Sequence, residues 1–156
     1  MPPIQKSPLL AAVLQLAVAA LLSLGCTTAW AQAHEARSGS FVLRSSAVAS
    51  QTFSASAAKA HGIKPAADRA VLNVLVERTD GGTRTNVPAT VQASVTNLAG
   101  IRRNVEMRRV VGNGMVSYLG TFDFLPREVL DFRIVATPEG SAAPIELIYR
   151  DRMWVP

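Results

Sequence analysis

The chain has little of what enzymes commonly use. Among its 156 residues there is one cysteine, Cys26, and there are two histidines, His34 and His61. A lone cysteine closes no intramolecular disulfide and builds no thiolate metal cluster. There is no glycine-rich phosphate loop, no H-x-x-x-H pair and no G-x-S-x-G nucleophile turn. Asp123, Glu128, Asp131, Glu139 and Glu146 fall in different strands and loops, so no spacing marks a catalytic carboxylate pair. These absences leave no local signature of catalysis. The expectation is a protein that is not an enzyme and holds no cofactor.

One long apolar run is present, at the start. From Leu9 to Leu24 no residue is charged, Lys6 precedes the run, and the small-residue stretch "TTAWAQA" follows it. That order is the one of a secretory signal. Cleavage fits after Ala31 or after Ala33, and the second frame sets the division used here: residues 1–33 as signal peptide, 34–156 as one domain. The expected location is the periplasm, soluble after cleavage. Two alternatives stand beside it: a lipid anchor at Cys26, and an uncleaved N-terminal helix, since the run approaches the ~18 apolar residues that span a bilayer. Ser23-Leu24-Gly25 departs from the usual order before a lipidated cysteine. Once the signal is lost, Cys26 goes with it and nothing remains long enough to span a membrane.

Charge survives that trimming. Of 16 Lys and Arg only Lys6 is lost, leaving 15 against 11 Asp and Glu, a net of +4. For an exported domain this favours an acidic protein or an anionic envelope component over nucleic acid, and it is also an ordinary surface charge. The densest basic stretch is "RRNVEMRR", Arg102 to Arg109. Read as one strand, it splits by parity. Arg102, Asn104, Glu106 and Arg108 share a solvated face; Arg103, Val105, Met107 and Arg109 share the other. Nucleic-acid grooves interleave basic and aromatic side chains, and this stretch has no aromatic. Arg102 and Arg108 remain as candidate contact residues.

From Gly39 on, the apolar period is two. Alternation marks strands at "GSFVLR", at 70–78, 89–96, 101–110, 115–122, 129–136 and 145–152, separated by turn signals such as "TDGGTR" and "VGNG". About seven short strands of this kind predict a mainly β domain, an antiparallel immunoglobulin-like β-sandwich. One short helix is expected over Ser54 to His61, with Ser54 as its cap, Gly62 closing it and Pro65 barring its extension. His61, at that helix end, reads first as a capping or half-buried ring and second as a contact residue. Asn73 is an amide within the apolar "AVLNVLVER" and is expected to be buried and to fix strand register. His34 offers a different chemistry. With cleavage after Ala31, a free amine, two backbone amides and the third-position imidazole suit copper(II) or nickel(II) in a square plane.

Several stretches resemble a known family. "KAHGIKPAADRAVLNVLVER", "ATVQASVTNLAG", "EMRRVVGNGMVSYLGTFDF" and "REVLDFRIVATPEG" are similar, in order, to small exported bacterial proteins grouped as the domain of unknown function numbered forty-four twenty-six. The resemblance covers roughly Gly39 to Tyr149. His61 stands where the family usually has tyrosine, and Ser117 where it has the first of two tyrosines. The resemblance implies an exported, sheet-rich domain without assigned catalytic residues or cofactor. It also makes Asn73 and the Asn97 to Gly100 turn parts of a shared scaffold. Together these readings predict an interaction module of the cell envelope that binds through sheet edges and loops. The alternatives are copper or nickel binding through His34, and a hydrolase with an assembled carboxylate or histidine site, which a cleft holding His61 beside a carboxylate and a hydroxyl would favour.

Overall fold

The computed structural model describes residues 33–154. The expected signal segment, its two cleavage frames and Cys26 lie outside the described residues. Within them lie ten strands: β1 (His34–Ser38), β2 (Phe41–Ala49), β3 (Arg69–Asp80), β4 (Thr83–Asn86), β5 (Ala89–Asn97), β6 (Arg102–Val105), β7 (Arg108–Gly112), β8 (Met115–Asp123), β9 (Val129–Pro138) and β10 (Ile145–Arg152). All pairings are antiparallel. They form a six-stranded sheet of order β1-β2-β3-β8-β7, with β4 paired to β3, and a four-stranded sheet of order β10-β9-β5-β6.

The fold is the antiparallel sandwich expected, with ten strands instead of about seven. The difference has three sources. His34–Ser38 and Thr83–Asn86 pair through backbone groups without a strong apolar pattern of their own. The stretch 101–110, read as one strand, is two. It breaks at Glu106 and Met107, and the chain leaves the four-stranded sheet after β6 and joins the six-stranded sheet as β7.

Inward-facing residues of both sheets make one core. Leu43, Leu72, Val74, Val76 and Phe122 from the larger sheet meet Val95, Leu130, Phe132, Ile134 and Tyr149 from the smaller. Phe122 and Phe132 meet edge-on, 5.6 Å between ring centres, a geometry that adds about 1 kcal/mol to simple burial. Among the described residues, a short helix covers part of the outer face of β3. Helix α1 (Ala55–Ala60) packs Ala58, with Ile63 after it, on Val71 and Leu119. Ser54 Oγ accepts a hydrogen bond from Ala57 N at the start. At the end, Ile63 N donates to Ala58 O at 2.8 Å and Gly62 N to Lys59 O at 3.1 Å. That double bond needs a left-handed residue, and Gly62 supplies it at φ +58°.

The two lateral sides of the sandwich close differently. On one, edge strand β1 lies against edge strand β10. On the other, β6 and β7 edge the two sheets and are continuous chain. Their junction presses onto Gly120 of β8. A Cβ there would stand 2.5 Å from Val105 Cγ1, 2.6 Å from Met107 Sδ and 2.9 Å from Glu106 O. Only glycine tolerates so close a crossing.

Candidate interaction surface

Register fixes where the basic candidates point. Arg102 pairs with Thr96, and its neighbours Arg103 and Val105 pair with the core residues Val95 and Ala93. Arg102 therefore faces outward from the four-stranded sheet, where its Nε donates to Ser94 Oγ at 3.1 Å. Arg108 pairs with Leu119, which packs under α1. It faces outward from the six-stranded sheet, beside Gly62. Parity assigned each arginine to an outer face, but the outer faces belong to different sheets. Arg102 and Arg108 do not share a contact surface, which corrects the single-strand reading.

Arg108 lines a cleft of about 420 Å³ with Gly62, Asn104, Glu106, Leu119 and Thr121. It brings a carboxylate, a guanidinium and a hydroxyl together, but His61 is not among its lining residues. His61 is half-buried and caps α1 through its backbone, its N–H donating to Ala57 O. The constellation that would favour a hydrolase, His61 beside a carboxylate and a hydroxyl in one cleft, is not formed there.

His34 is not a free terminal ring. Its imidazole stacks on Tyr149 at 3.8 Å between centres, and Tyr149 stacks on Phe132 at 4.7 Å. Its Nε2 stands 3.9 Å from Asp151 Oδ2, beyond hydrogen-bond reach. Among the described residues no group of three or more His, Cys, Asp or Glu is placed to hold a metal. Tyr149 shares a 3.0 Å hydrogen bond with Ser45 Oγ. Burial pushes its phenol up to about 12, against a lowering by the Ser45 hydrogen bond and a further rise from Asp151.

Asn73 is exposed, which corrects the buried-amide expectation. It sits on the outer face of β3, cross-strand from Leu119, and is not covered. The structural amide is Asn86, which sequence reading missed. Asn86 Nδ2 donates to Val76 O at 3.1 Å and Val116 O at 2.9 Å, while its Oδ1 accepts from Val116 N at 2.6 Å. The side chain stands in for a peptide unit in the gap between β4 and β8. Asn97 organises its turn: Oδ1 accepts from Ala99 N at 3.1 Å and Ile101 N at 2.9 Å, with Gly100 at φ +79°.

That turn belongs to a surface the sequence reading did not single out. At one end of the sandwich lie the β5–β6 turn, the β8–β9 loop and the chain after β10. Each leaves large apolar side chains in solvent: Leu98 (69% exposed), Ile101 (59%), Leu125 (69%) and Trp154 (61%). Ile101 and Leu125 line one shallow cleft of about 290 Å³ with Phe124, Arg103, Asp68 and Glu128. Trp154 is held nearby, because Arg127 N donates to Met153 O at 3.0 Å and Met153 N to Glu128 O at 2.8 Å. The loop conformations are fixed, with Glu128 Oε2 accepting from Leu125 N at 2.8 Å. A signal was present in the sequence. Leu98 and Ile101 flank a turn, where polar residues are usual, and Leu125 precedes a proline outside any strand.

The chain's relationships fit this domain. The model of the family described as a domain of unknown function, DUF4426, matches residues 35–156. The chain belongs to the DUF4426 family. The match is longer at both ends than the resemblance over Gly39 to Tyr149, and takes in most of β1, the end of β10 and Trp154. A crystal structure of a DUF4426 family protein from Pseudomonas aeruginosa PAO1 is similar at a TM-score of 0.68 and 23% identity, covering 80% of this chain and 96% of that one. At that identity the likeness shows the DUF4426 fold. No curated protein matches the chain. No helix among the described residues is long and apolar enough to cross a membrane.

Proposed function

We propose that this DUF4426 domain is an exported interaction module of the bacterial envelope, working in the periplasm, that binds without catalysing a reaction. Its binding surface is the loop end. One observation carries the reading: three separate segments, each held by its own hydrogen bonds, expose Leu98, Ile101, Leu125 and Trp154 together. Large apolar side chains grouped at one surface are a mark of contact sites. The opposite end offers a contrast. Its turns are tight and glycine-rich, at Gly39, Gly81 and Gly82, Asn113 and Gly114, and Gly140, and its exposed apolar side chains, Val111 and Met115, belong to the single β7–β8 hairpin instead of to separate segments. Export is supported by the charge-free run from Leu9 to Leu24 and the small-residue stretch after it.

The test is site-specific photocrosslinking in the cell of origin. A crosslinker replacing Leu125 should give adducts, and one replacing the exposed Asn73, on the outer face of the six-stranded sheet, should not. Equal labelling from both positions, or neither protein nor lipid adducts from Leu125, would overturn the assignment of the surface.

A further inference from the structure

The apolar tips at the loop end have a companion pattern in charge. Ile101 is followed by Arg102, Leu125 by Arg127 after one proline, and Trp154 is preceded by Arg152 across the buried Met153. Across the described residues most arginines are neutralised in place; Arg108 and Arg109 of β7 are in none of these ion pairs. Arg150 grips Asp131 through two hydrogen bonds of 2.6 and 2.9 Å and holds that carboxyl below its ordinary value. Arg133 pairs with Glu146, Arg69 with Asp123 at 3.2 Å, and Arg103 reaches Glu128 at 3.7 Å. Arg127 and Arg152 have no acidic partner among the described residues, and Arg102 bonds only the neutral Ser94 hydroxyl. The Arg69 and Arg103 pairs occupy Asp123 and Glu128, so Asp68 is the acid at this end without a basic partner among the described residues.

We infer that the surface this end docks on is an anionic bilayer. The inference rests on the loop-end reading above and names its partner. Apolar tips on separate loops, each beside a cation, match the layered chemistry of a membrane interface. The aliphatic and indole groups enter the boundary of the acyl chains, and the guanidinium groups stay level with phosphate. A protein partner would be better served by a continuous apolar centre ringed by polar groups. Here Arg127 and Arg152 each lie within two residues of an apolar tip, Leu125 or Trp154, along the chain. An anionic lipid surface also attracts the net positive charge of the domain.

The test is co-sedimentation of the processed protein, recovered from its own cell, with vesicles of phosphatidylglycerol and phosphatidylcholine or of phosphatidylcholine alone. Binding should require the anionic lipid and weaken as salt rises. The Leu125→Asp, Trp154→Asp pair should lower it by roughly tenfold or more, and the Arg127→Gln, Arg152→Gln pair by roughly threefold or more. Asn73→Asp, adding one negative charge elsewhere, should leave it unchanged. Matching thermal melts would show that the variants are folded. Trp154 emission should shift to the blue on vesicles, and Trp154→Phe removes that shift, separating it from any signal of Trp30. Equal binding to both vesicle types, or loop variants that bind as well as the parent, would overturn the inference. Protein adducts from Leu125 without vesicle binding would sink it while leaving the interaction reading standing; neither adducts nor binding would remove both.

Discussion

The two lateral sides of this sandwich solve one problem in opposite ways. A sandwich without disulfides must stop its sheets from parting at the edges. On the β6–β7 side, one stretch of chain supplies the edge of each sheet and crosses between them in two residues, clamped on Gly120. On the β1–β10 side, the edges come from opposite ends of the domain's sequence, joined by a ladder of rings from His34 through Tyr149 to Phe132. The first closure is covalent and tolerates no added atom. The second is made of stacking and one buried phenol.

The largest effect should come from attacking the covalent side. Gly120→Ala places a Cβ inside contact with Val105, Met107 and the Glu106 carbonyl. It should cost about 3 kcal/mol or more, read as a fall in the urea midpoint. A loss under ~1 kcal/mol would mean the crossing relaxes easily. On the stacked side, alkali should be the lever. Tyr149 has its phenol raised from 10.0 to about 12. Folding favours the neutral form, so its contribution is complete below pH 10 and disappears as pH rises through about 12. That amounts to roughly 2–3 kcal/mol over the interval. Tyr149→Phe should flatten the alkaline slope of stability, and an unchanged slope would refute the assignment. His34→Ala removes the outermost ring and should cost about 1 kcal/mol. Its sharper readout is hydrogen exchange: β1 amides should exchange faster while β7 amides do not. The smallest effect is expected where the charge is densest. Arg102→Ala with Arg108→Ala should shift stability by under ~1 kcal/mol, because both guanidinium groups are in solvent.

This contrast also explains what could be read from the sequence. The strands were legible because pleating imposes a period of two wherever one face is buried. The helix was legible because its cap, Ser54, and its stop, Gly62, are local signals. "RRNVEMRR" was half legible. Parity put Arg102 and Arg108 on outer faces and Val105 on an inner one, but parity is blind to a change of sheet, and neither glycine nor proline marks the break at Glu106. Asn73 misled because the pattern shows which face it shares, not how far along β3 the short helix reaches. Asn86 was invisible for the converse reason: nothing in "TNVPA" announces that its partners are Val76 and Val116. The His34 stack joins residues at the two ends of the domain, a contact no local pattern encodes. The loop end was legible in principle, as apolar residues beside turns, yet a strand-centred reading assigns such residues to the core by default.

The crossing at Glu106 and Met107 has a bearing on how the domain folds. Because one segment must find its register in both sheets, neither sheet can complete its edge alone. Assembly of the second sheet is then coupled to the first through two residues of chain, in place of a flexible linker. Two layers that could have melted as separate cooperative units are tied into one, so signals from Trp154 at the smaller sheet's end and from the backbone of the larger sheet should be lost in a single, coincident transition.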